Sequence, residues 1–449
     1  MEKSKEKCGV FGISHARQAS YLTFLGLYAL QHRGQESCGI VSSDGNTLYL
    51  EKHMGYVADA FNQSSFKKLK GRTAIGHVRY STTGETTFRN AQPIIIDSYL
   101  GQIALAHNGN LVNVSQLRKD LVKKGSLFQS STDSEVILHL IAQSSEKEIE
   151  LALVNALKKV KGAYSLIILT QDKLIAVRDP YGFRPLSLAR MSNSYLISSE
   201  TCAFDLLDAK YVRDIEPGEI LVINQKGIVS SIKLPSKKHQ FCIFEHIYFA
   251  RPDSLLFGEN VNQVRIKLGK KLAIEQPAKA DIVVPIPDSG LWAGLGYYRQ
   301  SGLPLEMALI RNHYVGRTFI QPEESIRHFG VRVKLNPIKK LIEGKRVVLV
   351  DDSIVRGTTS RRIVRLIRSA GAAEVHYRVS SPPIIGPCLY GIDTPTRKEL
   401  IAANYSLSEI TNFIEADSLG YLSLEGMLKA VKNKDEFCLA CFTSKYPVE

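Results

Sequence analysis

A strand, a loop, a helix and a second strand follow one another between residues 344 and 380, and this succession is the strongest constraint on the fold. The first strand is the core of GKRVVLVDD, which has the continuous hydrophobicity of a strand buried on both faces. SIVRGTTS follows as a loop, RRIVRLIRSAG as an amphipathic helix and AEVHYRVS as the next strand. This order predicts a parallel sheet in a doubly wound α/β domain.

The loop after the first strand has the chemistry of a sugar-phosphate site. Asp351 and Asp352 end the strand, where adjacent carboxylates can hold ribose hydroxyls or the water shell of Mg²⁺. Gly357 lets the backbone approach a phosphate, and Thr358 and Thr359 add hydroxyl donors before a helix whose amino end favours an anion. Neither the Walker pattern nor the dinucleotide fingerprint is present. An acidic turn capped by Thr is the purely structural alternative.

The whole run resembles the phosphoribosyl pyrophosphate (PRPP) motif of type I phosphoribosyltransferases. Upstream, residues 282–290 read IVVPIPDSG, a strand entering a tight turn that binds pyrophosphate in the resembling family. Residues 311–337 are rich in Arg, Lys and His, which predicts a solvated loop and, by resemblance, a mobile lid over PRPP. The resemblance places Mg²⁺ on Ser289, Asp351 and Asp352. It implies PRPP contacts at Asp288, Ser289, Asp351, Asp352, Ser353, Arg356, Gly357, Thr358 and Thr359.

Up to about residue 235 the pattern differs, with short β-rich runs, Gly-containing turns and amphipathic helices predicted at 21–31 and 134–142. This half opens with CGVFGI from Cys8, a thiol beside small residues. QHRGQES, HVRYST, HNGN and STDSE follow, beginning at residues 31, 77, 107 and 131. Taken singly, these strings are compatible with a small buried thiol, a hairpin turn at Asn-Gly and a helix cap.

Together the five strings resemble the N-terminal nucleophile glutamine amidotransferases. In that family the peptide bond before the Cys is cut, and the freed α-amine, with a pKa of about 8, is the general base for the thiol. The resemblance implies a propeptide at residues 1–7 and Cys8 as the nucleophile. It implies an oxyanion hole from Asn108 and Gly109. Glutamine would be bound by Arg33, Arg79 and Asp133.

Seven cysteines are too few, and odd in number, for a disulfide scaffold of 449 residues, which predicts a reducing compartment. The spacing of Cys438 and Cys441 suits a metal site but does not separate zinc from a 4Fe-4S cluster. The strings FCIFE, CLYGID and the terminal CxxCF resemble the iron-sulfur branch of the glutamine PRPP amidotransferases, which also has a propeptide. That resemblance implies a 4Fe-4S cluster on Cys242, Cys388, Cys438 and Cys441. Cys38 and Cys202 are then predicted to be buried structural thiols.

The resemblance to the glutamine PRPP amidotransferases covers essentially the whole chain. It predicts a propeptide at 1–7, an α+β N-terminal nucleophile sandwich at 8–235 and an α/β type I phosphoribosyltransferase domain with a parallel sheet at 240–449, whose C-terminal segment binds the cluster. The Lys- and Pro-containing residues 233–239 are the predicted linker. The implied reaction is the first committed step of purine biosynthesis, in which ammonia from glutamine displaces pyrophosphate from PRPP. Purine nucleotides are the implied inhibitors, and a homodimer or homotetramer the implied assembly.

The net charge indicates acidic partners but does not identify one. The 58 basic and 44 acidic side chains leave a formal net charge of +14, which favours binding of nucleic acid, anionic lipid or phosphorylated metabolites. A PRPP-sensing DNA-binding regulator is disfavoured because no helix-turn-helix signature is present. A sugar-isomerising amidotransferase is expected to lack VVLVDDS, and an electron-transfer protein to carry a flavin or second cluster motif. No secretion signal and no apolar run of about 18 residues is present. The expectation is a cytoplasmic protein without nucleic-acid or membrane partners.

Overall fold

The computed structural model describes residues 8–80, 87–235, 237–312, 335–394 and 396–449. The predicted propeptide and residues 313–334 of the predicted lid lie outside these ranges. No helix in the part of the chain that the structure describes is long and apolar enough to cross a membrane.

The first half is built from two antiparallel sheets. Its strands, β1 to β13, span Gly9–Ile13, Ser37–Ser43, Leu48–Met54, Thr73–Arg79, Ile94–Ser98, Gly101–Leu111, Gly162–Leu169, Leu174–Arg178, Ser187–Met191, Ser194–Ser198, Lys210–Asp214, Glu219–Asn224 and Gly227–Lys233. Sheet A has the spatial order β11-β9-β10-β1-β4-β2-β3, and sheet B has the order β13-β12-β8-β7-β6-β5. The helices, α1 to α7, span Ala19–Ala29, Val57–Ala60, Gln63–Lys68, Val114–Lys123, Ser134–Ala142, Ile149–Leu157 and Cys202–Asp205.

The two sheets pack face to face between helical layers. Because side chains alternate along a strand, Val10 of β1 joins Ile75 and Ile167 in the core between the sheets, whereas Phe11 and Ile13 face α1 on the outer side of sheet A. Helices α4 to α6 cover the outer face of sheet B. The predicted α+β sandwich is therefore confirmed. The helix predicted at 134–142 is α5, and the one predicted at 21–31 is α1, two residues earlier.

The second half contains the predicted parallel sheet. Its strands, β14 to β23, span Phe241–Cys242, Leu255–Leu256, Glu259–Asn260, Ile282–Pro285, Leu309–Arg311, Leu335–Pro337, Arg346–Asp351, Glu374–Val379, Ser418–Tyr421 and Phe437–Cys438. Sheet C is parallel throughout, in the order β17-β20-β21-β22. The helices, α8 to α15, span Val261–Glu275, Leu291–Ser301, Lys339–Ile342, Thr358–Ser369, Ile401–Asn404, Leu407–Ile414, Leu424–Leu428 and Ala440–Thr443.

Two local features refine the sequence-based expectations. Helix α11 begins at Thr358, three residues before the predicted start, because Gly357 takes the left-handed conformation (φ 76°) at its N-cap. The described ends of the predicted lid, β18 and β19, pair with each other.

The last strand of the first half, β13, ends at Lys233, and the first strand of the second half, β14, begins at Phe241. The domain limits of 235 and 240 themselves stay predictions.

Candidate active sites

Cys8 immediately precedes β1, a central strand of sheet A. Its side chain is buried, and Sγ lies 3.7 Å from the carbonyl oxygen of Tyr80. Gly9 pairs with Val78 of β4, so the antiparallel register brings Arg79 alongside Cys8. A Cβ on Gly9 would lie 3.0 Å from the Val78 side chain. A larger residue after the thiol would therefore have to displace the Val78 side chain.

Asn108 and Gly109 lie within β6 of sheet B. The alternative interpretation of Asn-Gly as a hairpin turn is wrong, because both residues pair with β7. A Cβ on Gly109 (φ 154°) would lie 2.1 Å from the carbonyl oxygen of Ala163, which only glycine tolerates. The Ser199 hydroxyl connects the two sheets, since it accepts from Val10 N–H at 3.0 Å and lies 3.5 Å from Asn108 Nδ2. Oδ1 of the buried Asn108 has no hydrogen-bond partner among the described residues.

Asp133 precedes α5 and reaches the same strand. Its Oδ2 accepts from the N–H of Leu111 at 3.0 Å, and Oδ1 lies 3.6 Å from His107 Nδ1. Burial by itself would raise the pKa of Asp133, but His107 and the Leu111 N–H outweigh burial and leave this pKa below its usual value. The carboxylate is therefore anionic at neutral pH and stands beside the Asn108–Gly109 strand.

Arg33 occupies a buried ion-pair network rather than an open pocket. Its Nη2 lies 2.7 Å from Glu245 Oε1, and its Nη1 donates to Glu200. Its Nε donates to the carbonyl oxygen of Cys8 at 3.2 Å. Glu245 also pairs with Arg184 at 3.1 Å. Burial lowers the pKa of Arg33, but the two glutamates raise it well above its usual value. Direct binding of glutamine by Arg33 stays a prediction.

The candidate phosphate site lies at the carboxyl ends of two adjacent parallel strands, β17 and β20. The N–H of Ile286 donates to the carbonyl oxygen of Val350 at 2.9 Å. A Cβ on Gly290 would lie 2.3 Å from that same oxygen. The loops at 286–290 and 351–359 therefore meet at one edge of sheet C, where ligands of α/β domains bind.

The acidic residues of this site are held by hydroxyl donors. Buried Asp351 accepts from the Tyr377 hydroxyl at 2.6 Å, and Asp352 accepts from the Ser353 hydroxyl. At the rim, Arg311 pairs with Asp288 and Arg356 pairs with Glu399 at 2.8 Å. These rim pairs are solvent-exposed and so are weak enough to exchange for a phosphate.

Four cysteines line one small cavity between the two halves: Cys242, Cys388, Cys438 and Cys441. The parallel pairing of β14 with β23 sets Cys242 beside Cys438. The N–H of Tyr390 donates to Cys388 Sγ at 3.3 Å. Burial raises the pKa of Cys242 to about 11, so its thiol is protonated unless a metal group binds it. Within the described ranges, no three His, Cys, Asp or Glu side chains form a site for a single metal ion.

Arg184 borders the same cavity. It is 1% exposed, and its guanidinium makes no well-directed hydrogen bond within the described part of the chain, although Nη1 lies near Glu245. A buried cation beside four cysteines matches the negative charge that four thiolates confer on a metal cluster. Cys38 and Cys202 are buried elsewhere, in the core under sheet A.

Sequence reasoning missed several residues that the structure adds to these sites: Asn110, Arg184, Ser199, Glu200 and Glu245. Asn110 closes the string HNGN and Glu245 closes FCIFE, but the roles predicted for these strings fell on Asn108, Gly109 and Cys242. For Glu245 the available signal was a charged side chain inside the largely apolar run FCIFEHIYF, since a buried charge requires a partner.

Comparisons with known proteins match both halves. Residues 77–205 match a glutamine amidotransferase domain family, and residues 259–382 match a phosphoribosyl transferase domain family. "Amidophosphoribosyltransferase" of Bacillus subtilis is 50% identical, covering 99% of this chain and 94% of that protein. The Methanocaldococcus jannaschii protein of the same name is 52% identical over 98% of each. "Amidophosphoribosyltransferase 1, chloroplastic" of Arabidopsis thaliana is 51% identical, covering all of this chain and 80% of that protein.

Two solved structures share the whole architecture. One is described as the allosteric regulatory enzyme of purine biosynthesis, with a TM-score of 0.95, 49% identity and coverage of 98% of this chain and 96% of that one. The other is glutamine PRPP amidotransferase from B. subtilis complexed with ADP and GMP, with a TM-score of 0.94, 49% identity and 98% coverage of both chains.

Proposed function

The chain belongs to the amidophosphoribosyltransferases, and on that premise we propose how its residues divide the reaction. Glutamine is hydrolysed in the first half, and the ammonia displaces pyrophosphate from PRPP in the second to give 5-phosphoribosylamine. This is the first committed step of purine biosynthesis. The observation that carries the proposal is the presence in one chain of the Cys8 and Asn108–Gly109 arrangement together with the phosphate loop after Asp351.

In the first half, Cys8 is the nucleophile. After residues 1–7 are removed, its α-amine accepts the thiol proton, and Sγ attacks the side-chain amide carbon of glutamine. The Asn108 amide and the Gly109 N–H donate to the oxyanion of the tetrahedral intermediate. Ammonia leaves, a thioester remains, and water hydrolyses it to glutamate. Arg79 binds the α-carboxylate of glutamine and Asp133 binds its α-amine.

In the second half, the PRPP site uses the two loops at the edge of sheet C. The backbone after Gly357 and the hydroxyls of Thr358 and Thr359 bind the 5-phosphate. Asp288, Ser289, Ser353 and Arg356 complete the set of PRPP contacts. The oxygen donors of Ser289, Asp351 and Asp352 fit Mg²⁺, which prefers oxygen ligands. When bound there, Mg²⁺ supplies positive charge that stabilises the departing pyrophosphate.

The four cysteines that line one cavity are proposed to hold a 4Fe-4S cluster, since four thiolates are the ligand set that such a cluster takes. The Tyr390 N–H and the Arg184 guanidinium add a hydrogen bond and a positive charge of the kind found around such clusters. The cluster would supply a cross-link between β14, residue 388 and the C-terminal helix α15.

Regulation, assembly and location are proposed from the family. Purine nucleotides are proposed inhibitors, since one related structure is described as complexed with ADP and GMP. A homodimer or homotetramer is the proposed assembly. The cytoplasm is the proposed location, although the plant relatives are named as chloroplastic.

Activity assays and an intact-mass measurement test the roles proposed for the two halves. With Mg²⁺ and PRPP, the enzyme should release glutamate from glutamine together with pyrophosphate. Cys8→Ala should lose glutamine-dependent synthesis and keep synthesis from ammonium salts, whereas the matched control Cys38→Ala should keep both. Glutamine-dependent activity in Cys8→Ala would show that the nucleophile is wrongly assigned. Intact mass should show the loss of residues 1–7, and an active chain that retains them would contradict the α-amine as base.

A further inference from the structure

A segment of the second half lies directly on the oxyanion strand of the first. This segment, residues 388–392 (CLYGI), is termed the cluster loop because it begins with Cys388. The carbonyl oxygen of Leu389 accepts a hydrogen bond from Asn110 Nδ2 at 2.8 Å, across 279 positions of sequence. Asn110 is the residue directly after Gly109 in β6.

Gly391 of the cluster loop packs against Gly109. It has a φ of 109°, and a Cβ placed on it would lie 3.0 Å from both the carbonyl carbon and the Cα of Gly109. A Cβ on Gly109 itself would lie 2.1 Å from the carbonyl oxygen of Ala163 in β7. The Gly109 backbone is therefore packed closely against both a strand of its own half and the cluster loop of the other half.

The cluster loop is held in place by the side chain of Tyr390. The ring of Tyr390 stacks on Phe183 with centroids 4.2 Å apart, and its hydroxyl donates to the carbonyl oxygen of Val448 at 2.7 Å. Tyr390, Phe183 and Ala163 belong to one small hydrophobic cluster that also contains Cys438. The position of the loop therefore depends on the packing around the cysteines.

We propose that the cluster loop is a positioning element for glutamine hydrolysis: Leu389 and Gly391 hold the peptide of Gly109 in the orientation that its N–H needs to donate to the oxyanion. The inference rests on the proposed role of Gly109. Such a donor must reach the intermediate at hydrogen-bond distance, so a small displacement of β6 weakens it. The cysteine site then acts on the glutaminase site through Leu389, which follows Cys388 directly.

The main test is Asn110→Ala, with Asn113→Ala as the control. Asn113 donates to the carbonyl oxygen of Lys159 at 2.9 Å and accepts from the N–H of Lys161 at 3.0 Å, both in an exposed turn. Asn110→Ala should lower kcat for glutamine hydrolysis about 10- to 100-fold, with little change in KM, because misplacement affects the transition state more than the bound substrate. Ammonia-dependent synthesis and iron content should be unchanged. Equal kcat values for the two variants would overturn the proposal.

A second readout separates positioning from general loss of structure. Glutamate γ-semialdehyde, an aldehyde analogue of glutamine, forms a tetrahedral adduct with a thiol and therefore needs the oxyanion donors. Its inhibition constant should rise in Asn110→Ala in parallel with the loss of kcat. An unchanged inhibition constant would contradict the role of the loop in the oxyanion hole.

Gly391→Ala provides an independent variant. Its control is Gly258→Ala, which has a similar positive φ (75°) but no neighbour within 4 Å of the added Cβ. Gly391→Ala should lose glutamine hydrolysis, and Gly258→Ala should not. Asn108→Ala distinguishes a failure of the loop proposal from a failure of the oxyanion assignment. If Asn108→Ala lowers kcat while Asn110→Ala does not, the loop proposal fails and the oxyanion assignment stands. If neither variant affects kcat, the oxyanion assignment itself fails.

Discussion

The guanidinium of Arg33 and the carboxylate of Glu245 form a buried ion pair, 2.7 Å between Nη2 and Oε1, that joins the two halves of the chain. Through Nε, the same guanidinium donates to the carbonyl oxygen of Cys8. The nucleophile of the first half is thus connected to the second half by two side chains that are 212 positions apart.

Glu245→Gln should destabilise the folded protein by about 3 kcal/mol, because it removes a buried negative charge that Arg33 and Arg184 share. Glu425→Gln is the control, since Glu425 forms an exposed pair with Lys429 within one helical turn, and it should leave stability unchanged. Urea denaturation followed by circular dichroism measures both. A stability of Glu245→Gln equal to that of the control would show that the network contributes nothing to folding.

His77 should cause the free energy of unfolding to decrease as the pH falls below about 6.5. Burial lowers its pKa to about 3, while its Nε2 lies 3.0 Å from the carbonyl oxygen of His107. Below about pH 6.5 the unfolded chain binds a proton at this residue that the native chain does not, so stability decreases as pH falls from 6.5 towards 3. His77→Gln should reduce this slope by up to about 1.4 kcal/mol per pH unit.

The measurement for His77 is the free energy of unfolding at several values between pH 7 and pH 4, compared with wild type. His53→Gln is the control, because His53 is half-exposed on β3. Identical slopes in wild type and His77→Gln would mean that His77 binds protons equally in the native and the unfolded state.

Gly357→Ala should abolish PRPP-dependent synthesis with either nitrogen source. The added Cβ would lie 2.8 Å from Ile401 Cδ1, and the residue has a φ of 76° that disfavours alanine. Gly344→Ala is the matched control, with a φ of 72° and no neighbour within 4 Å. PRPP affinity measured by calorimetry should be lost in the first variant and kept in the second. Normal PRPP affinity in Gly357→Ala would remove this loop from the phosphate site.

Arg184→Gln should shift the midpoint potential of the proposed cluster to a more negative value. A buried cation stabilises the additional electron of the reduced cluster, so its removal makes reduction harder. Anaerobic potentiometry followed by electron paramagnetic resonance measures the shift. Arg190→Gln, on β9 of sheet A, is the control and should leave the potential unchanged. Zinc in place of iron and sulfide in the purified protein would contradict the cluster itself.

The elements that sequence reasoning predicted well are those whose signal is local. The VVLV run, the two acids after it and the Thr-rich loop specify strand β20 and the start of α11, because hydrophobic periodicity and turn chemistry act over a few residues. The start of α11 was predicted three residues too late. Whether Thr358 is helical depends on the backbone conformation of Gly357, which the residue types alone do not determine.

Local signals failed where distant strands decide the conformation. Asn-Gly favours a turn in isolation, yet Asn108 and Gly109 lie in an extended strand because β7 pairs with both of them. The cooperative pairing of a long strand outweighs the turn preference of two residues.

The family, the two sheet types and the chemical character of the candidate sites could be predicted from the amino-acid sequence, since all of these depend on residue types in short, ordered strings. The long-range contacts could be read only from the folded structure: Arg33 with Glu245, Ser199 with Asn108, and Gly391 against Gly109. These contacts join positions far apart in the chain, and their existence depends on how the two halves pack. Packing follows from shape and burial summed over the whole chain, which no short string contains.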